Sequence, residues 1–107
     1  MILRKKLRYI LVEASEGAGM DNVRLSDSLR EQFSSFLGQL NYFKANPQVA
    51  AQFNDRVFVM SVNRGYEKNA VLALSFIKNL DGRKVGFYTI RTSGSMRSIR
   101  NVFRKLY

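Results

Sequence analysis

Apolar residues change spacing several times along this chain, and each change marks an element. From Leu7 to Ala14 they run almost without a break, which reads as a strand. Tyr9, Leu11 and Glu13 share one side of it, and Ile10, Val12 and Ala14 share the other. So continuous a run suits a central strand covered on one or both faces. From Ser26 to Gly38 the spacing lengthens to a helical one. Leu29, Phe33, Phe36, Leu37 and Leu40 make a core-facing stripe, and Gly38 can close the helix. Ser28 with Glu31 fits a capping box, with Ser26 the alternative cap. After the break at Asn46-Pro47, Val49, Ala51 and Phe53 alternate as a half-buried strand should. Asn54-Asp55 makes a turn, Val57 to Val62 returns, and Asn63-Arg64-Gly65 ends the strand.

Glu67 to Leu80 reads as the second helix, with Ala70, Ala73, Leu74, Ile77 and Leu80 buried. Asp81-Gly82 is a turn, and Val85 to Ile90, rich in β-branched and aromatic residues, is the last strand. Thr92-Ser93-Gly94-Ser95 then supplies hydroxyls that can cap a final helix. In that helix Met96, Ile99, Phe103 and Leu106 form an apolar stripe, with Arg97, Arg100 and Arg104 on a second stripe beside it. The order β-α-β-β-α-β is the split-βαβ, ferredoxin-like or RRM-like arrangement, here with an extra C-terminal helix. It predicts an α+β domain over residues 1–107, with a four-stranded antiparallel sheet and helices on one face. The other face must be covered by the terminal helix or by a partner chain.

Charge sharpens this picture. The 107 residues hold 18 basic and 8 acidic groups, a net charge of +10. Residues 1–8 carry four basic groups and no acid, and residues 83–107 carry seven and no acid, while the middle is nearly balanced. Basic ends around a neutral middle point to a polyanion. The N-terminus of the last helix, opened by Ser93-Gly94-Ser95, suits a phosphate. A solvated basic face on an amphipathic helix is the alternative. Hydrophobic residues make up 46 %, enough for a small core. No apolar stretch approaches the length of a membrane span or a secretory signal.

Candidate chemistry is sparse. The chain has no Cys and no His, which removes thiolate sites, the usual general base and the commonest metal ligand. A nuclease would then need clustered carboxylates, and the eight acids form no tight motif. Glu13 is the one acid in an apolar setting, where a paired strand residue is the simpler reading. Phosphate-ester hydrolysis on this fold would need a glycine-rich anion loop beside an Arg and an Asn. The loop with Gly17 and Gly19 is too short and irregular for that role. Base stacking on the sheet would use Tyr9 and Phe58, but Arg56 to Val62 fits the aromatic RNA-recognition motif poorly.

Four stretches together resemble the Pop-five type protein subunit of ribonuclease P, in its compact, archaeal-like form. They are Arg8-Tyr9-Ile10-Leu11-Val12-Glu13, Phe36-Leu37-Gly38, Ala70 to Lys78, and Arg91-Thr92-Ser93-Gly94-Ser95. That family usually shows Ser-Gly-Thr followed by Ile, and here Ser95 and Met96 keep the hydroxyl and the apolar residue. The resemblance implies a non-catalytic RNA-binding subunit of a cytoplasmic ribonucleoprotein that removes the 5′ leader of precursor tRNA. It implies that RNA performs the catalysis, with Mg2+ serving the holoenzyme and no cofactor on this chain. The implied partners are ribonuclease P RNA, precursor tRNA and a TIM-barrel protein subunit, with two copies of each protein. The RNA-contacting candidates are Arg4, Lys5, Lys6 and Arg8 at one end. At the other they are Arg91, Ser93, Gly94, Ser95, Arg97, Arg100, Arg104 and Lys105. Another ferredoxin-like RNA-binding protein, ribosomal or small-RNA-associated, is the second reading, and a protein-only interaction module is the third.

Overall fold

The computed structural model describes residues 6–15, 22–80 and 82–107. Arg4, Lys5, the loop with Gly17 and Gly19, and Asp81 lie outside them. The elements are β1 (Leu7–Ala14), α1 (Asn22–Leu37), α2 (Gln39–Ala45), β2 (Gln48–Gln52), β3 (Val57–Asn63), α3 (Glu67–Phe76), β4 (Asn79–Leu80), β5 (Arg83–Lys84), β6 (Phe87–Ser93) and α4 (Met96–Leu106). The main sheet has the order β2-β3-β1-β6 and is antiparallel throughout. This is the expected α+β fold with its additional terminal helix.

β1 is central, and Ile10, Leu11 and Val12 have no exposed surface. Its two sides feed two separate cores. Ile10, Val12 and Ala14 join Phe58, Met60 and Val62 of β3 beneath Leu25, Leu29 and Phe33 of α1 and Ala70, Ala73 and Leu74 of α3. On the opposite side Leu11, Val57 and Val59 meet Ile99 of α4, with Tyr9, Phe53, Met96, Val102 and Phe103 at the margin. The terminal helix therefore covers the second face. It is fastened by rings and by charge. Phe103 lies against Phe53 at 4.5 Å between centroids and stacks on Tyr107 at 5.0 Å. The Tyr107 hydroxyl donates to Glu13 Oε2 at 2.6 Å, and Arg56 Nη2 stands 3.5 Å from Glu13 Oε1. Glu13 is thus a paired strand residue.

Several boundaries differ from those the sequence pattern predicts, each for a packing reason. α1 starts a turn early because Leu25 is buried in line with Leu29 and Phe33. Ser26 and Ser28 then lie inside the helix, so neither caps it. Leu40 falls beyond Gly38 in the separate helix α2 and is 65 % exposed, so it leaves the core stripe, as does the exposed Phe36. α3 stops at Phe76, and Ile77 turns extended while staying buried. Leu80 is buried from a two-residue hairpin instead, where it pairs with Arg83. Gly82, at φ +79°, supplies the left-handed residue that such a turn requires. The last strand runs from Phe87 to Ser93 and not from Val85. Leu106 is exposed, outside the apolar stripe of α4.

Two irregularities change which face residues take. Val49 pairs with Met60 but Ala51 with Val59, so Ala50 is an extra residue. A β-bulge of this kind breaks the simple alternation. Val49 consequently packs on the helical core while Ala51 and Phe53 pack on the α4 core. In β6, Arg91 opposes Leu11 and Thr89 opposes Val12, which makes Ile90 the extra residue.

Two outcomes follow for α4. Phe103→Ala should lower stability by about 2 kcal/mol in urea unfolding, below the roughly 3–5 kcal/mol of a fully buried ring, because Phe103 is half-buried. Partial withdrawal from water, the hydrogen bond to Glu13 and the charge of Glu13 raise the Tyr107 phenol above its ordinary pKa of 10.0, while Arg56 lowers it. A raised folded-state value means that the latch contributes fully below about pH 10 and fades as pH climbs through the raised value. Wild type should therefore exceed Tyr107→Phe in urea stability by a constant margin from about pH 7 to 9, and the margin should shrink above about pH 10. A margin that grows in alkali would refute this role for Tyr107.

Candidate nucleic-acid interface

β1 enters the sheet at the end where β6 leaves it, since Tyr9 pairs with Ser93. That antiparallel register brings together candidates far apart in sequence. Arg8 reaches across to the turn before α4. A Cβ placed on Gly94 would lie 2.7 Å from Arg8 Nη1, so a guanidinium occupies the space that this glycine leaves open. The turn itself is built from hydroxyls. Ser93 Oγ accepts from the Ser95 N–H at 3.2 Å, and Ser95 Oγ caps α4 by accepting from the Ser98 N–H at 3.1 Å. Arg97 follows in the first turn of the helix, where the dipole and the uncommitted amides favour an anion.

Lys6 is exposed at the same end, and its carbonyl accepts from the Arg64 N–H at 2.8 Å. Arg64 is not among the candidates that the sequence pattern singles out. It stands in the charge-balanced middle of the chain, and only the β1–β3 pairing, with Leu7 opposite Asn63, carries it to this corner. Glu67 is close by, accepting a hydrogen bond from the Gly65 N–H. Lys6, Arg8 and Arg64 therefore lie at the end of the sheet where β1 begins, and Arg97 lies in the first turn of α4, past the Gly94 turn that Arg8 reaches.

The remaining basic residues divide into three places. Arg97, Arg100 and Arg104 are all exposed on the flank of α4 away from its contacts. Seven residues at about 1.5 Å each set the first and last roughly 10 Å apart along the axis. Arg91 and Lys105 sit on the other flank, lining a cleft between β6 and α4. Arg83 and Lys84 lie on the small hairpin by Ser15 and Gly86, at the far end of β1, so the C-terminal charge does not form one patch.

Sheet-face stacking is ruled out for Phe58, which is 2 % exposed in the helical core and packs edge-on to Phe87 at 5.8 Å. Tyr9 lies on the opposite face, among the residues packed under α4. Among the described residues, no group of three or more His, Cys, Asp or Glu could hold a metal ion, and no helix is long and apolar enough to cross a membrane.

A chain in the cryo-EM structure of yeast ribonuclease MRP superposes with a TM-score of 0.59 at 11 % identity, covering 98 % of this chain and 94 % of that one. At that identity the likeness is one of fold. No individual curated protein matches the sequence significantly. The model of the Rpp14/Pop5 family of ribonuclease P proteins matches residues 8–104, which span the β1 entry, both helical layers, the Ser93-Gly94-Ser95 turn and the arginine flank of α4, and the chain belongs to that family.

Proposed function

We propose that this chain is a non-catalytic RNA-binding subunit of ribonuclease P, contacting the catalytic RNA from the corner where β1 and α4 begin and from the arginine flank of α4. The observation that carries the reading is the convergence of Arg8 on Gly94 inside the family's matched span. Lys6 and Arg64, joined through their backbones, flank the same end of the sheet, although they are far apart in the chain. Phosphate contacts of this sort position RNA without reading its sequence. Glu13, the one acid that invited a catalytic role, has both oxygens engaged by Arg56 and Tyr107.

The partner protein in this reading is the TIM-barrel subunit of the same enzyme. It is supported by the outer surface of the helical layer. Phe36 stacks on Phe76 at 5.3 Å, yet both rings are exposed, together with Leu40, Phe43 and Leu72. Phe43 is 80 % exposed. So many large apolar side chains on one layer support a contact surface for that partner.

Reconstitution tests the reading. Ribonuclease P RNA, Mg2+ and the TIM-barrel subunit should cleave precursor tRNA faster when this chain is added, and the chain alone should cleave nothing. Cleavage by the pure chain that disappears in Glu13→Gln would overturn it. A titration in salt tests the surface. Replacing Arg97, Arg100 and Arg104 with Gln should flatten the slope of log affinity against log salt by about 0.7–0.9 for each phosphate that the protein no longer neutralises. Unfolding stability should change by no more than about 0.5 kcal/mol per site. An unchanged slope in a folded triple variant would make the flank merely solvated.

A further inference from the structure

The cleft beneath the other flank of α4 differs in kind from the arginine flank. It holds about 510 Å³ between the helix and strand β6, at the edge of the sheet. Its floor is apolar, from Ile90, Val102 and Leu106, and its rim carries Arg91 on the strand and Lys105 on the helix. Asn101 lines it from the helix one turn before Lys105, with Ser98 one turn earlier again. The volume is that of a small-molecule site. Aliphatic side chains, two cations and an amide around one cleft are the complement of one nucleotide: a base, its phosphate and a hydrogen-bonding edge.

The bulge in β6 sets two neighbouring residues, Ile90 and Arg91, in the cleft's lining. Without the extra residue, strict alternation would send Ile90 and Arg91 to opposite faces of the sheet. With it, Arg91 opposes Leu11 on the α4 side while Ile90 packs into the same core. Bulges recur where a side chain must be re-aimed. β6 is also the terminal strand of the sheet, so its outer edge carries backbone donors and acceptors beyond those of the side chains.

From this geometry we infer that the α4–β6 cleft binds a single unpaired nucleotide of RNA, with Arg91 and Lys105 on its phosphate and Asn101 on the edge of its base. The inference rests on the RNA-binding function proposed above and adds to it a site that reads a base. RNA readers take up bases that are splayed out of the stack, as in bulges and loops. An amide offers a donor and an acceptor side by side, the pattern complementary to adenine. The cleft therefore favours a bulged adenosine.

The experiment compares two RNA hairpins of equal length with the intact chain, one fully paired and one carrying a single bulged adenosine, by fluorescence anisotropy over a salt series. Wild type should bind the bulged hairpin about tenfold more tightly, the discrimination of one good amide–base contact. Asn101→Ala should erase that preference and leave affinity for the paired hairpin unchanged. Asn101 is exposed, so its substitution does not endanger folding. The triple substitution of Arg97, Arg100 and Arg104 should weaken both hairpins alike and keep their ratio. Equal binding of the two hairpins by wild type, or a preference that survives Asn101→Ala, overturns the cleft while leaving the RNA-binding reading intact. Failure of wild type to bind either hairpin at low salt overturns that reading, and the cleft with it.

Discussion

Everything in this fold depends on burying β1 from both sides. Ile10, Leu11 and Val12 are consecutive and wholly inaccessible, and consecutive strand residues point to opposite faces. A sheet with such a central strand needs two layers of cover. α1 and α3 give one, with Leu25, Leu29 and Phe33 aligned over Ile10 and Val12. α4 gives the other, with Ile99 set on Leu11, Val57 and Val59. The second core is the smaller, and contacts at its rim reinforce it. The Phe53–Phe103–Tyr107 rings and the Glu13 carboxylate, shared between Arg56 and Tyr107, hold the end of the helix to the sheet.

In the proposed RNA-binding role, that double cover decides which surfaces are open to RNA. In RNA-recognition domains the open sheet face stacks bases on aromatic side chains. Here α4 lies on that face, which leaves the perimeter open for the proposed contact: the corner where strands and helix begin, the solvent flank of α4, and the edge strand β6. The helix serves both requirements because its stripes are separate. Ile99 is buried, while Arg97, Arg100 and Arg104 all face water. The two bulges tune the arrangement. One brings Ala51 and Phe53 under α4, and the other brings Ile90 and Arg91 to the same side.

The element order, the central strand, the buried members of α3 and the amphipathic terminal helix with its Ser95 cap were legible in the sequence. They depend on periodicity and on residues a few positions apart, which local pattern captures. So were the basic ends and the resemblance carried by Arg91-Thr92-Ser93-Gly94-Ser95. Element boundaries were less legible where burial and helical period pull apart. Ile77 and Leu80 are buried as their spacing suggests, but in extended backbone, because Gly82 allows the chain to fold back sooner than the helical pattern implies.

Only the tertiary structure decided which charges share a surface. Register joined Arg8 to Gly94 and brought Arg64 beside Lys6, across separations that no local pattern encodes. The same pairing sent Arg83 and Lys84 to the opposite end of β1. The bulge at Ile90, set by how β6 pairs with β1, put Ile90 and Arg91 side by side in the cleft that Asn101 also lines. The sequence determined the elements and the sign of the charge because both follow from residue type and spacing. The assembled surface needed the strand pairing, because a one-residue change in register moves a side chain to the other face of the sheet.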